Sequence, residues 1–146
     1  MKIEYISKTS ILYMRRVGAY GAKNYLLMET FKQELHNQHL FQSPTILGIA
    51  QDNPQTRPAK QCRYDVCLLL DKTISAKAPL ICGKLAGGKF AVFQLAHTAQ
   101  AVADWYRELD KLIQHYQLTP RPAPIIERYQ DKLIKVDLCE MLLPIY

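Results

Sequence analysis

One carboxylate near the end of the chain stands among apolar and aromatic residues. The segment PAPIIERYQ, residues 122–130, reads as a short strand preceded by prolines. Because side chains alternate between the two faces of a strand, Glu127 shares a face with Ile125 and Tyr129. Arg128 then points the other way, which we expect to be the outer surface. A carboxylate desolvated among apolar groups is costly unless it is paired, hydrogen-bonded or protonated.

Two roles for Glu127 are open at this point. In a binding site, a cationic ligand supplies the missing positive charge, the exclusion of water strengthens the attraction, and aromatic faces add cation–π attraction. In a structural role, Glu127 hydrogen-bonds a tyrosine or a backbone group and does nothing else. The choice depends on whether the face that Glu127 shares with Tyr129 borders a groove.

Aromatic residues that could line such a groove are plentiful, since the chain contains nine tyrosines. A tyrosine side chain has an apolar body and a polar tip, so it suits both a core and a binding site. For each residue singly we expect core packing, but together some of them should line a cavity with Glu127 and Tyr129. The candidates lie on elements that could border the same groove: Tyr13, Tyr20, Tyr64, Phe93, Trp105 and Tyr106.

The cysteines and histidines give no sign of a metal or cofactor site. None of the four cysteines is spaced as CxxC, and no histidine pair lies at ligand spacing nearby. We therefore expect no metal, no cofactor and reduced thiols, buried at Cys67 and Cys139 within apolar strand-like segments. The histidines show no triad spacing with a nucleophile, but triads assemble in space, so spacing alone leaves a Cys–His hydrolase open.

The remaining charges predict structure and not chemistry. Asp65 and Arg63 share one face of a strand, so we expect a structural cross-strand ion pair there. Asp137 and Glu140 are expected at the surface. The net charge is +6, but the basic residues are scattered and only residues 15–16 form an adjacent pair. A nucleic-acid binder needs a clustered basic patch, so no direct nucleic-acid binding is expected.

Length and composition indicate one globular domain over residues 1–146. About half of the residues are apolar (49%) and 22% are charged, which is typical of a chain with one sizeable core. The longest apolar run, residues 66–70, is far too short to cross a bilayer, and the N-terminus has no apolar signal core. We expect a cytoplasmic protein without a membrane partner.

The elements that must position Glu127 follow a pattern that occurs twice. Helical periodicity runs through residues 22–38 and 99–117, with Thr98 as a plausible N-cap of the second helix. The other periodic segments read as strands: residues 2–7, 13–17, 45–51, 62–70, 80–85, 89–96, 123–130 and 133–143. Gly87 and Gly88 predict a hairpin between two of these strands, and residues 131–132 could form the turn of the last hairpin.

The order strand, strand, helix, strand, strand thus occurs in residues 1–72 and again in residues 77–146, as a repeat of pattern with negligible identity. Each half has one helix, which is too little to bury its own apolar stripe and a sheet face. The halves should therefore share one core, and we expect a groove where they meet.

Four segments resemble, in order, those of GyrI-like proteins, a family that includes the DNA gyrase inhibitory protein and the C-terminal effector-binding domains of many AraC- and MerR-type regulators. DNPQTRPAKQCRYDVCLLL (52–70) resembles the family's DNP…R.D segment, and LAGGKFAVFQLAHT (85–98) resembles its GG.YAV hairpin. PAPIIERYQ resembles its Pro-x-x-Glu-x-Tyr strand, and DLCEMLLPIY (137–146) resembles its closing strand. The chain before residue 52 matches only in outline.

The resemblance implies an α+β fold of two strand-helix-strand-strand modules related by a pseudo-twofold, with eight mainly antiparallel strands and two long helices. It also implies a small-molecule pocket between the modules, in which Glu127 lies among aromatic residues and meets cationic, lipophilic ligands. The effector-binding pattern uses the whole chain and leaves no DNA-binding helices. The resemblance is therefore to the stand-alone form and not to a complete transcription factor.

Three functions are compatible with this resemblance. The leading prediction is a binding protein for lipophilic or cationic compounds such as drugs or toxins, which could modulate transcription or DNA gyrase indirectly. A second is an inhibitor that binds DNA gyrase itself, although no segment identifies the surface it would use. A third is a hydrolase of strained cyclopropane-type toxins, in which Glu127 would activate or orient water with the support of a tyrosine.

Overall fold

The computed structural model describes the whole chain, Met1–Tyr146, as one curled sheet of eight antiparallel strands with helices packed against it. The strands are β1 (Lys2–Ile6), β2 (Thr9–Val17), β3 (Thr45–Ala50), β4 (Arg63–Leu69), β5 (Ile81–Leu85), β6 (Gly88–Ala96), β7 (Ile126–Gln130) and β8 (Leu138–Ile145). The helices are α1 (Ala22–Asn37), α2 (Ala99–His115) and the short α3 (Asp131–Ile134). This confirms the predicted α+β class with two long helices. None of the helices has the length and apolar character needed to cross a membrane.

The two long helices form for reasons visible in the sequence. Thr98 caps α2, because its hydroxyl accepts a hydrogen bond from the Ala101 N–H at 3.1 Å and so satisfies a donor left free at the helix start. Trp105 and Leu109, one turn apart, then turn the apolar stripe of α2 toward the sheet. In α1 the fully buried residues Phe31 and Leu35 have the same spacing.

The strand order shows that the first strand of each half is exchanged with the other half. The order is β1-β6-β8-β7-β3-β4-β2-β5, which is symmetric about the β7–β3 pair when the strands of the first half are matched to those of the second. Accordingly β1 pairs with β6, and β5 pairs with β2. The predicted pseudo-twofold is therefore present, with an exchange that the pattern did not predict.

The exchange makes the predicted hairpin at Gly87 and Gly88 wrong, because β5 and β6 pair with different strands. The glycines instead serve a tight crossing. Gly87 has a φ of +77°, and a Cβ added there would lie 2.2 Å from the Ile6 carbonyl oxygen, so only glycine fits. The last predicted strand also begins later than expected, at Leu138, since α3 and a turn occupy the residues before it.

The sheet buries both of its faces. The convex face carries both helices, which form two clusters around Phe31 and around Trp105. The concave face needs no helix, because the curl of the sheet brings its own side chains together in a third cluster. Each large apolar side chain fully buried in these clusters stabilises the fold by about 1.5–3 kcal/mol. The members of the concave cluster are Ile11, Leu47, Ile49, Cys67, Phe90, Val92, Ile126 and Leu142.

Burial of the concave face overturns two predictions about charges. Arg128 is not at the outer surface: it is 5% exposed, and its guanidinium donates to Glu140 and, at 2.8 and 2.9 Å, to Glu4 on the exchanged strand β1. Glu140 is likewise buried and not a surface charge. It also accepts a hydrogen bond from Gln130 Nε2 at 2.7 Å. Asp137 is exposed, as expected.

Asp65 forms the predicted cross-strand ion pair, with Arg15 of β2. Arg15 lies directly opposite Asp65 in the β2–β4 register and donates two hydrogen bonds to its carboxylate, at 2.6 and 2.8 Å. Arg63 instead binds Asp52 in the loop before β4. Cys67 and Cys139 are buried free thiols, whereas Cys82 is exposed.

Candidate functional site

A cavity of about 840 Å³ lies on the convex face, between α1 and the start of α2. Each half covers its own part of the sheet with one helix, so the middle of the sheet, where β7 meets β3, is left open. Side chains from β3, β4 and β7 form the floor: Ile46, Tyr64, Glu127 and Tyr129. The walls and rim come from α1, α2, α3 and their connections, and include Tyr25, Met28, Glu29, Lys32, Phe41, Pro44, His97, Thr98, Val102, Asp131 and Ile134.

Glu127 occupies the centre of this floor, opposite Gly48 of β3 and Met141 of β8 in the strand register. Burial raises the pKa of its carboxyl above the usual value, and a hydrogen bond from the Tyr129 hydroxyl to Oε2 lowers the pKa in part. No lysine or arginine is among the groups that shift this pKa. The carboxylate is therefore desolvated and lacks a cationic partner within the protein.

Gly48 is the residue that makes room for the Tyr64 hydroxyl on this floor, near the carboxylate. A Cβ added to Gly48 would lie 2.3 Å from the Tyr64 hydroxyl oxygen and 3.5 Å from Glu127 Oε2. The hydroxyl thus occupies the space that any side chain at this position would need. Burial raises the pKa of Tyr64, and the charge of Glu127 raises it further, so the phenol remains a protonated hydrogen-bond donor.

Tyr129 completes the polar part of the floor. Its pKa is raised by burial and then by the charge and hydrogen bond of Glu127, so it also stays protonated. The His97 ring lies 5.4 Å from the Tyr129 ring, measured between centroids, and tilts against it. The result is one carboxylate framed by two phenols and an imidazole ring at the base of an otherwise largely apolar cavity.

The rim is polar and already neutralised. Lys32 lies 3.7 Å from Glu29, and Asp131 pairs with Lys135 outside the cavity at 2.9 Å. These pairs are exposed and contribute little to a binding energy. The unbalanced charge of the cavity is therefore that of Glu127. No three His, Cys, Asp or Glu side chains cluster closely enough to hold a metal ion.

Of the aromatic residues predicted for the site, the structure brings Tyr64 and Tyr129 to the cavity with Glu127. Tyr20 lies behind the floor, where its hydroxyl donates to the Arg63 carbonyl at 2.8 Å and its ring meets the Tyr64 ring edge-on. Tyr13 points to the concave face.

Phe93 and Trp105 pack against each other in the core beneath α2, with ring centroids 5.6 Å apart, and do not line the cavity. Tyr106 follows Trp105 on α2, is 41% exposed and does not line the cavity.

Several lining residues were not predicted. Tyr25 and Met28 are spaced by three on α1 and so share one edge of that helix, a spacing that could have identified them. Thr98 was predicted only as the N-cap of α2, and no role was predicted for His97.

The family model for GyrI-like small molecule binding domains matches residues 1–145. This chain belongs to that family. The GyrI-like chain is 44% identical over 144 residues to YosT of Bacillus subtilis (strain 168), an SPbeta prophage-derived protein named as a candidate transcriptional regulator; the match covers 98% of this chain and 97% of YosT.

Two solved structures show the same GyrI-like fold. The EcmrR C-terminal domain superposes with a TM-score of 0.74 at 10% identity, over 99% of this chain and 96% of that domain. SAV2435 bound to tetraphenylphosphonium superposes with a TM-score of 0.62 at 19% identity, over 99% of this chain and 93% of SAV2435. At these identities the likeness concerns the fold alone.

Proposed function

We propose that this GyrI-like domain binds lipophilic organic cations in the cavity between α1 and α2, with Glu127 as the counter-ion. The observation that carries the proposal is the half-buried Glu127 carboxylate at the floor of the cavity, which has aromatic neighbours and forms no ion pair with a basic residue. Tetraphenylphosphonium, the ligand of the structurally similar SAV2435, supports this ligand class. The volume of about 840 Å³ suits a drug-sized molecule.

The energetics favour a cation that brings its own apolar surface. Two opposite unit charges about 4 Å apart attract by about 4 kcal/mol at the effective dielectric constant of a protein surface, and by more where water is excluded. The phenol rings of Tyr64 and Tyr129 add cation–π attraction of about 0.5–2 kcal/mol. A small hydrated cation would lose its water shell without gaining apolar contacts, so lipophilic cations are preferred.

Titration calorimetry with tetraphenylphosphonium tests the proposal through Glu127→Gln, which removes the charge and keeps the shape. We expect the affinity to fall by at least about tenfold, or about 1.4 kcal/mol. Triphenylphosphine oxide, a neutral compound of similar shape, should bind both proteins alike. The matched control is Glu29→Gln at the exposed rim, which should change the cation affinity by less than about threefold. An unchanged cation affinity in a folded Glu127→Gln protein would refute the role of the carboxylate.

Protonation should oppose binding, because burial raises the pKa of Glu127 in the free protein. A cation binds the ionised form, so its affinity should increase as the pH rises through that pKa. Binding in this range should release up to one proton, which calorimetry detects by comparing buffers with different ionisation enthalpies. Glu127→Gln should abolish both effects.

The hydrogen-bonded pair of Glu127 and Tyr129 also keeps the hydrolase alternative open. In that reaction, water adds across a strained ring bond: its oxygen bonds one ring carbon, Glu127 takes its proton, and the proton ends on the group that the broken bond releases. Mass spectrometry of a cyclopropane-containing electrophile with a catalytic amount of protein should then show the hydrated product. One bound equivalent without product favours sequestration.

Four further hypotheses stay predictions: inhibition of DNA gyrase, indirect effects on transcription, a stand-alone role and a cytoplasmic location. The gyrase hypothesis is tested by a supercoiling assay with one equivalent of this protein per enzyme. Supercoiling at the normal rate under these conditions would eliminate it.

A further inference from the structure

A second cavity of about 340 Å³ lies on the concave face of the sheet, on the opposite side from the first. The chain between β5 and β6 borders it, together with residues 121–124, which lead into β7. Its floor is part of the concave cluster and is formed by Ile11, Ile49, Phe90 and Ile126. The floor is therefore apolar and rigid, since it belongs to a packed core.

The charges around this cavity have the opposite sign to those of the first. Arg15, Lys84 and Arg121 line it, against the single carboxylate of Asp65. Asp65 is fully engaged, because it binds Arg15 and accepts a hydrogen bond from Gln51 at 2.9 Å. The cavity thus has an excess of two positive charges, which lie on Lys84 and Arg121.

Both of these cations are held in place by neutral groups. Lys84 Nζ donates to the Ser10 hydroxyl at 2.7 Å. Arg121 Nη2 donates to the Gly87 carbonyl at 3.0 Å, and its guanidinium lies 5.1 Å from the centroid of the Phe90 ring. These contacts orient the two cations without neutralising them, and the Arg121 guanidinium keeps further N–H groups for an acceptor.

We propose that this concave cavity is a second ligand site, which binds a small hydrophobic monoanion such as an aromatic or branched carboxylate or sulfonate. The anionic group meets Arg121 and Lys84, and the apolar body rests on Phe90, Ile11 and Ile126. An oriented guanidinium beside an aromatic ring suits an aryl acid, because it pairs with the acid group while the ring packs against the body. The volume, near the lower end for ligand pockets, limits the ligand to about one or two rings.

The structural alternative is that Arg121 only supports the tight chain crossing at Gly87. In that case Lys84, which makes no contact with Gly87, should have no effect on an anion, and a neutral molecule should bind as well as an anionic one. The two explanations therefore differ in the charge dependence of binding.

Fluorescence titration with 5-dimethylaminonaphthalene-1-sulfonate, a two-ring aryl sulfonate, tests the site, with the first cavity saturated by tetraphenylphosphonium. We expect saturable binding of one equivalent, weakened about tenfold in Arg121→Gln and about threefold in Lys84→Gln, and weakened by added salt. Arg121→Lys should retain part of the affinity. The neutral analogue N,N-dimethyl-1-naphthylamine should bind all four proteins alike.

Lys135→Gln is the matched control, because this exposed lysine lines neither cavity, so the variant should leave anion binding unchanged. Repeating the titration without tetraphenylphosphonium separates the proposal from cation binding in the first cavity. Displacement of the anion by tetraphenylphosphonium would place the dye in the first cavity and overturn the proposal. Equal affinity of the wild-type protein, Lys84→Gln and Arg121→Gln would do the same. If Arg121→Gln does not fold, the exposed Lys84→Gln and the salt dependence still decide.

Discussion

Replacing Gly48 by alanine should destabilise the protein through one atom, the Tyr64 hydroxyl oxygen. The added Cβ would lie 2.3 Å from that oxygen, against 3.3 Å from the ring carbon Cζ that carries it and 3.5 Å from Glu127 Oε2. Gly48 has no positive φ, so alanine suits the backbone there. The cost arises because the buried Tyr64 ring must move by about 1 Å within a close-packed core.

The size of the effect follows from this geometry. Overpacking of a core costs about 1–3 kcal/mol, and for a domain of this size each kcal/mol lowers the melting temperature by about 2–4 °C. In the background of Tyr64→Phe the hydroxyl is gone and the closest remaining contact is the 3.3 Å one. There Gly48→Ala should be nearly neutral, since the small residual crowding is offset by about 0.4–1 kcal/mol from the lower entropy of the unfolded chain.

A double-mutant cycle measures this coupling directly. Urea unfolding, followed by circular dichroism, gives the free energy of unfolding for the wild-type protein, Gly48→Ala, Tyr64→Phe and the double mutant. We expect a coupling energy of at least about 1 kcal/mol, with the sign that makes alanine better tolerated beside phenylalanine. Equal costs of Gly48→Ala in both backgrounds would refute the argument that the hydroxyl requires the glycine.

Three further predictions concern the charges and the core. Burial raises the folded-state pKa of Glu127 above its usual 4.5, so its contribution to stability should be fully present at low pH and lost as the pH rises through the folded pKa. The difference in melting temperature between the wild-type protein and Glu127→Gln should therefore fall with increasing pH. A pH-independent difference would contradict this. Arg128→Met leaves Glu140 buried without its cation and should lower the free energy of unfolding in urea by about 3–5 kcal/mol. Glu140→Gln should lower it by less, and the reverse order would contradict the buried ion-pair assignment. Trp105→Phe removes a core contact beneath α2 and should lower the free energy of unfolding by about 1–3 kcal/mol. Its affinity for tetraphenylphosphonium should stay within about twofold of the wild-type value, and a larger loss would indicate that Trp105 contacts the ligand.

The centre of the first cavity could be predicted because it depends on a local rule. The period of two put Glu127 and Tyr129 on one face, and the structure keeps them there in contact with the cavity. The same rule assigned Arg128 to the opposite face, which was correct, but alternation does not reveal whether that face meets water. The curl of the sheet buries this face. Arg128 is stabilised there in part by its ion pair with Glu4, which is 124 residues away in the chain.

The exchange of first strands could not be predicted from local patterns either. Gly87 and Gly88 give a turn signal whether the strands beside them pair with each other or part, so the choice is made by distant partners. Tyr13 illustrates the same limit, because its strand was assigned correctly but its side chain lies on the concave face. Phe93 lies on the same face as the first cavity, but it packs against Trp105 of α2 and does not line the cavity. Trp105 packs in the core beneath α2, which is the role expected for each aromatic residue taken singly.

Through the exchanged strands, each half of the molecule pairs with the first strand of the other half. If the chain were opened between β4 and β5, the first fragment would lack β5 beside β2, and the second would lack β1 beside β6. Each missing strand belongs to the other fragment. Such fragments should complement each other through backbone hydrogen bonds of three strand pairs, β1–β6, β2–β5 and the central β3–β7. Unfolding of either half would expose strand edges of its companion, so we expect the floor of the first cavity, where β3 meets β7, to unfold together with the rest of the sheet.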